Sequence, residues 1–511
     1  MIFRYNETAG ISSLDPAFAR NQANMWMVHQ LYNTLVEVDD SLTIIPSLAK
    51  SFQVEDNGMR MIFNLRTDVW FHDDACFKGR PRKLIAKDVV YSFERIINPA
   101  TASPGAWIFN DRVAGKDPFT APDDSTFVLN LRSPFLPMLG ILTMPYCSVV
   151  PEEAVNYYGS NFRSRPVGTG PFRFVNWIEG QALVCTKNEK YFEHDEEGIR
   201  LPYLDGVFVN FFDSKATEFL QFRQKKIDFI NDIDVSFKDE VLTRSGKLRD
   251  EWTNSVNLNK HAYLNTEYLG ILMDSSKTKG SPLQQKKIRQ AMNFGIDRAK
   301  MMLYLRNSIG SPAGSGFVPR GLPSFNEAAK PYSYDPARAK RLLQEAGYDP
   351  RAQKITLITI PQYANLGVYI VRELEQIGMK IEVDVVPKNL LLQQTAASQA
   401  AFFRGSWIAD YPDAENYLSV FYGKNPAPPN YTRFKNEQFD KWYEAAVAET
   451  DNRNRYEVYR KMDSLVMEEA PVVPLWYDEV IHLVQKNITG FKPNGLNMLE
   501  LRKAKKLKIK K

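Results

Sequence analysis

An α/β chain of two unequal lobes is what the sequence predicts, and three observations predict it. At 511 residues the chain is too long for one core, so two or three domains are expected. Past Val38 the pattern turns β-rich: Phe52 to Val54 and Met61 to Leu65 alternate apolar and polar residues around Asp56-Asn57-Gly58, a strong hairpin signal. From Gln285 onward helical periods alternate with short apolar runs. They culminate in Ile355 to Ile360, a helix over Leu366 to Ile377 closed by Gly378, and Lys380 to Val386, which together read as a β-α-β crossover.

Taken in order, Ile2 to Tyr5 reads as a strand, and Ser12 to Pro16 turns into an amphipathic helix with Met25, Val28, Leu31 and Leu35 at helical spacing. A helix over Ala86 to Ile97 is stopped by Asn98-Pro99, and Thr126 to Leu131 is a strand. At Arg165 the text RPVGTGPF is a tight glycine turn that feeds two strands joined at Glu179-Gly180. It is not a phosphate loop, because Pro171 removes an amide donor and a strand follows where a helix would be needed. Val207 to Phe212, a helix over Lys215 to Lys225 and Ile227 to Ile230 form another β-α-β unit, and Tyr263 to Met273 is extended. Helices follow over Gln285 to Asn293 and Arg298 to Leu305, and a third opens on Asp335-Pro336, cap and first-turn proline, to close at Gly347. Helices near Glu437 to Glu449 and Asn454 to Glu468 precede the strand Val472 to Tyr477.

Composition excludes several function classes. The formal charge is +5, but Leu501 to Lys511 carries seven Lys/Arg and no acid, so everything before it sums to −2. A near-neutral body makes nucleic acid an unexpected partner. The basic tail is expected to be solvated end-charge, although alternation of lysine with Leu507 and Ile509 also fits a terminal edge strand. No run of about 18 apolar residues is present to span a bilayer. Cys76, Cys147 and Cys185 are odd in number and far apart, which implies no disulfide framework. Met1 stands directly on the strand-like Ile2 to Tyr5, as in a mature domain behind a new start codon.

The densest chemistry lies in Phe402 to Leu418, FFRGSWIADYPDAENYL. Ala400 to Phe403 reads as a strand that Tyr411-Pro412-Asp413 breaks, so Asp410 stands at a strand's end among Trp407, Tyr411 and Tyr417, with Arg404 six residues upstream. Strand ends in α/β sheets are where ligands sit, and an acid among rings suits a cation. The competing account is that Asp410 only caps its own turn. Catalytic constellations are missing: His29, His72, His194, His261 and His482 are scattered, and there is no HExxH, GxSxG or Walker loop. His72 beside Asp73-Asp74 reads either as a turn cap or as a metal corner, and Asp410 with Asp413 or Glu415 is weak evidence for a glycosidase pair.

Four stretches together resemble the family 5 solute-binding proteins of ABC transporters, the oligopeptide and dipeptide-binding group. They are SLDP at Ser13 to Pro16, PSLAKSFQVEDNGMRMIFNLRTDVWFHDD with AKDVVYSFERIINPATASP, then RPVGTGPF, and finally RGSWIADYPDAENYL. IRQAMNFGIDRAKM at Ile288 to Met301 is similar to the family's start of the second lobe.

The resemblance implies a two-lobed, hinged clamp of the periplasmic-binding-protein type (type II) with an extra subdomain. Lobe I is expected over 1–38, 165–265 and 478–511, its subdomain over 39–164 and lobe II over 266–477, with Tyr263 to Met273 and Val472 to His482 as the joining strands. It implies that Asp410 holds a ligand α-ammonium, that Ser406, Trp407 and Ile408 pair with a peptide as an added strand, and that Arg20, Asn21 and Gln22 do so from lobe I. Arg404 is expected to meet a ligand carboxylate and Trp107 to line the pocket. Arg20 departs from relatives with an acid there and would favour a ligand anion; Asp74 replaces the glycine of FHDG. The implied function is a non-enzymatic, cofactor-free, monomeric receptor, periplasmic or cell-surface and lipid-anchored through an N-terminal segment, that delivers a short peptide to a membrane ABC permease. The alternatives are an oligosaccharide or metal-chelate cargo, or a two-lobed hydrolase.

Overall fold

The computed structural model describes residues 1–8, 10–351 and 354–508 and divides into two compact units. Unit 1 comprises Met1–Val241, Leu248–His261 and Val480–Lys511; unit 2 comprises Leu242–Lys247 and Ala262–Glu479.

In unit 1, β1 (Ile2–Asn6) pairs in parallel with a later strand on each side. Around it lie α1 (Gln22–Leu31), a four-stranded antiparallel sheet of β2 (Ala49–Glu55), β3 (Arg60–Leu65), β4 (Phe119–Asp123) and β5 (Thr126–Asn130), and α2 (Ala86–Ile97). The hairpin between β2 and β3 turns where it was expected to, with Asp56 and Asn57 both at positive φ. Asp88 starts α2 by accepting the Ile85 N–H at 2.8 Å, and Arg82 holds Asp88 with two bonds. Strands β6 (Phe172–Ile178), β7 (Ala182–Lys187), β8 (Gly206–Asn210) and β9 (Phe229–Asn231) complete the sheet around β1, with α3 (Lys215–Arg223) linking β8 to β9.

Two expectations, the end of the first helix and the solvated tail, are corrected in unit 1, and the glycine turn gains its reason. The first helix ends at Leu31, leaving Leu35 outside it, because the Gly170 N–H takes the Leu31 carbonyl at 3.0 Å and Tyr32 turns extended. The glycines of RPVGTGPF are there for closeness rather than for left-handed backbone: a Cβ on Gly168 would lie 2.1 Å from the Leu31 carbonyl oxygen and one on Gly170 2.4 Å from the Leu31 carbonyl carbon. The basic tail is not merely solvated charge. Arg502 is buried against Glu37, Glu193 and Glu500, Lys506 pairs with Asp228 at 2.8 Å, and Lys505–Lys506 forms a short ladder with Ile488–Thr489. Ile509 lies outside the described residues.

Unit 2 is built on β10 (Val256–Ile271), which enters it at Ala262. Helices α4 (Lys286–Gly295), α5 (Arg298–Arg306) and α6 (Pro336–Glu345) follow, and the Asp335 carboxylate caps α6 by accepting the Arg338 N–H. The crossover is β11 (Ile355–Thr359), α7 (Ala364–Gln376) and β12 (Ile381–Val385), with β11 and β12 parallel. Then come α8 (Lys388–Ala396), β13 (Phe402–Ile408), α9 (Glu437–Ala448), α10 (Asn452–Glu469) and β14 (Val472–Gln485), which leaves unit 2 after Glu479. Sheet order in this unit is β12-β11-β13-β10-β14. Its core packs Ile271, Met292, Ile370, Phe402 and Trp476 together.

Candidate functional site

Strand β13 runs through the stretch singled out in the sequence, starting at Phe402 and continuing to Ile408. It pairs antiparallel with β10 over its whole length, from Phe402 opposite Ile271 to Ile408 opposite Asn265. The Ala409 N–H donates to the Leu264 carbonyl at 2.9 Å, and the Leu272 N–H donates to the Ala401 carbonyl at 3.0 Å. Because the two bonds of an antiparallel ladder recur every second residue, Phe403, Gly405 and Trp407 turn their amides to β10. Arg404, Ser406 and Ile408 turn theirs to the opposite edge. There β11 reaches only Phe403, paired with Ile358, and β11 itself ends at Thr359. Among the described residues no strand pairs with this edge from Ser406 onward. Ile408 is 48% exposed and Ser406 half-buried.

Asp410 stands two residues past the strand. It is open to solvent, yet enough protein surrounds its carboxyl that burial raises it above the ordinary value. Asn416 holds the corner together: its Oδ1 accepts the Trp407 Nε1–H at 2.9 Å and the Asp410 N–H at 3.4 Å, and its Nδ2 reaches Asp410 Oδ2 at 3.5 Å. No cation lies within ion-pair distance of Asp410 among the described residues. Asn416 itself is buried, and nothing in its local sequence marks it: its role comes from the fold, which brings its amide to both Trp407 and Asp410.

The neighbouring polar groups are committed elsewhere. Asp413 accepts Arg455 at 2.5 Å, and Glu415 accepts the hydroxyls of Tyr411 and Tyr443. Neither can serve as the second acid of a glycosidase pair with Asp410. Tyr417 donates to the Leu264 carbonyl at 2.5 Å and is fully buried, as Tyr411 nearly is, so of the three expected rings only Trp407 is partly open. Arg404, expected to be available to a ligand carboxylate, bonds both oxygens of Glu267 through Nη2, at 2.6 and 2.5 Å.

The remaining expected residues belong to unit 1. Arg20 is exposed. The Asn21 side chain caps α1 by accepting the Asn24 N–H at 2.9 Å, and Gln22 is already helical, with Oε1 accepting from Asn231 at 3.1 Å. Only Arg20 and Asn21 therefore keep non-helical backbone in that segment. Trp107 is 39% exposed, in a single 3-10 turn (Ala106–Ile108) just after Ser103, whose Oγ donates to the Ala17 carbonyl at 2.6 Å, and Arg112 lies 5.8 Å from its ring. His72 is a buried part of the glycine turn, with Nε2 at 3.0 Å from the Gly170 carbonyl, while Asp74 caps the next turn through the Cys76 N–H. No group of three or more His, Cys, Asp or Glu among the described residues could hold a metal ion.

Comparison with known proteins places this geometry. Heme-binding protein A of Haemophilus influenzae is 27% identical over 90% of this chain and 84% of its own length. The probable deoxycholate-binding periplasmic protein YgiS of Escherichia coli is 26% identical over 96% and 90%. Among solved structures, the periplasmic binding protein DppA of Helicobacter pylori, in complex with the peptide STSA, superposes with a TM-score of 0.76 at 24% identity, covering 99% of this chain and 98% of that one. The two-unit α/β architecture is that of periplasmic binding proteins. The model of the bacterial extracellular solute-binding proteins, family 5, matches residues 43–429, which is most of the chain, and the chain belongs to that family.

Proposed function

We propose that this protein captures a short peptide outside the cytoplasmic membrane and delivers it to an ABC permease, with the edge of β13 pairing the peptide as an added strand and Asp410 taking its α-ammonium. Family membership makes the chain a substrate-binding component of ABC import and not an enzyme. The observation that carries the ligand class is the succession of two features along the chain: a backbone edge at Ser406 and Ile408 that no strand pairs among the described residues, and, two residues past the strand, a solvent-open carboxylate that no cation pairs among them. A free edge supplies main-chain hydrogen bonds to any extended peptide, and a carboxylate at its end fixes direction and register. A peptide also occupies the DppA structure. Among the described residues no helix is long and apolar enough to cross a membrane. A lipidated N-terminal anchor, a monomeric state and a cognate permease complete the proposal on the strength of the family resemblance.

Native mass spectrometry of the gently purified protein and a thermal-shift screen of free-amine di- to pentapeptides test it. A ligand at a hundredfold excess over Kd stabilises the folded state by about 2.7 kcal/mol, an easily read rise in Tm. No shift with any peptide at millimolar concentration, against a shift with haem, a bile acid, an oligosaccharide or a metal chelate, would remove peptides from the account.

A further inference from the structure

Strand β13 carries one cation that is not open, Arg404, and is followed two residues past its end by one anion that is, Asp410. Arg404 and Ser406 present their side chains to the same face of the strand, and Glu267, directly opposite Ser406 on β10, reaches Arg404 diagonally. The guanidinium bonds both Glu267 oxygens and lies 3.6 Å from the centre of the Tyr363 ring. The two side chains are only 10% and 2% exposed. Asn265 Nδ2 reaches Glu267 Oε1 at 3.5 Å and Asp478 Oδ2 at 3.2 Å, and Asp478 is paired with Arg306. Two guanidiniums thus face two carboxylates in one connected network inside unit 2. A ligand carboxylate that sought Arg404 would have to displace Glu267 and leave it buried without its cation, which is strongly unfavourable.

We infer that Glu267 masks Arg404, so that this strand reads the amino end of a peptide by charge and leaves the carboxyl end unread, making peptides and their C-terminal amides equivalent ligands. The inference rests on the proposed pairing of an extended peptide along β13. The geometry sets where the mask matters. Arg404 and Asp410 are six residues apart, about 20 Å at the rise of an extended strand, so the carboxyl end that comes alongside Arg404 belongs to a peptide of about six residues.

The test is calorimetric titration of penta- and hexa-alanine, each as free acid and as C-terminal amide, into the full chain and into Glu267→Gln, Arg404→Gln and the double variant. The wild type should bind acid and amide with affinities within about fivefold of each other. Glu267→Gln, which uncovers the guanidinium, should favour the acid by more than about tenfold at one of the two lengths, the gain expected of a charge-assisted pair. The double variant should return to the wild-type ratio. A wild-type preference for the acid above about fivefold overturns the inference, as does a folded Glu267→Gln protein with an unchanged ratio. Should Glu267→Gln not fold, Arg404→Gln decides: an unaltered acid-to-amide ratio supports the mask, and a ratio that falls overturns it. If neither form of any free-amine peptide binds the wild type, the peptide reading itself has failed and the mask falls with it, an outcome distinct from binding with acid preference.

Discussion

Substituting Asp410 separates a ligand anchor from a turn cap. In the folded chain the carboxylate's one hydrogen bond is to Asn416 Nδ2 at 3.5 Å, at the limit of a hydrogen bond, and no cation pairs with it among the described residues. Asp410→Asn removes the charge, preserves the shape and should change stability by no more than about 0.5 kcal/mol. The cost in ligand affinity is bounded on both sides. A desolvated ion pair stripped of one member loses roughly 3 to 5 kcal/mol, but Asp410 is open to water before a ligand arrives, so part of that penalty is recovered as hydration in the free variant. About 2 to 3 kcal/mol remains, the worth of charge-assisted hydrogen bonds, or roughly 30- to 150-fold in Kd. Calorimetry with a free-amine peptide and its N-acetyl form supplies the assay. The wild type should prefer the free amine by a similar factor, and the variant should not discriminate, because both changes delete the same interaction. A loss below about threefold, with both ligands bound alike by wild type, would refute the reasoning and leave Asp410 as a surface acid held only by Asn416.

Other residues carry predictions about stability. Gly168→Ala places a Cβ 2.1 Å from the Leu31 carbonyl oxygen, and since that oxygen is backbone and cannot swing aside, unit 1 should lose about 3 kcal/mol or fail to fold, read by urea unfolding. Arg502→Met strands Glu37, Glu193 and Glu500 in a buried site and should cost roughly 3 to 5 kcal/mol, whereas a solvated tail arginine would cost nearly nothing. Burial pushes the Asp463 carboxyl up to about 7 against the pull of the Phe317 and Val318 amides, so the folded chain keeps a proton that the unfolded chain gives up above about pH 4. Its contribution to stability therefore falls as pH rises from about 4 to 7, by about 2 kcal/mol given the side chain's partial exposure, and Asp463→Asn should flatten that slope in unfolding curves across this range. In unit 1 the sign reverses: burial lowers His72 to about 4 and His482 to about 3, so the stability present above pH 6.5 drains as pH falls below it, and His72→Gln should blunt the acid loss.

How much of the fold the sequence discloses depends on whether the determining contacts are local. Helix α2 is legible to the residue because its start, at Asp88 with Ile85, and its stop, at Asn98-Pro99, are written within the helix's own neighbourhood. The hairpin at Asp56 to Gly58 is legible for the same reason. The end of α1 is not, since the Gly170 N–H that takes the Leu31 carbonyl comes from 139 residues away. Helix α8 is not legible either, because Leu390 and Leu392 are exposed and it writes no apolar stripe. The tail misleads because its charge run was weighed without Glu37, Glu193 and Asp228, which lie far upstream.

The same distinction sorts the acids of the candidate site. Asp410, Asp413 and Glu415 lie within six residues of one another, and although the strand end and the flanking rings point to Asp410, the sequence does not show which of the three is already paired. What separates them arrives from elsewhere: Arg455 on α10 claims Asp413, and Tyr443 on α9 joins Tyr411 in claiming Glu415. Asp410 is left with Asn416, a neutral partner on the short helix Glu415–Leu418 that follows it, and with solvent. Arg404 went the other way, because Glu267, 137 residues upstream, reached it first. A charged side chain in this stretch is available to a ligand to the extent that the fold has not already supplied its counter-charge, and on that criterion the strand offers an anion and withholds a cation. The criterion concerns pairing rather than motif, so it assigns Asp410 and Arg404 opposite fates although the family motif contains both.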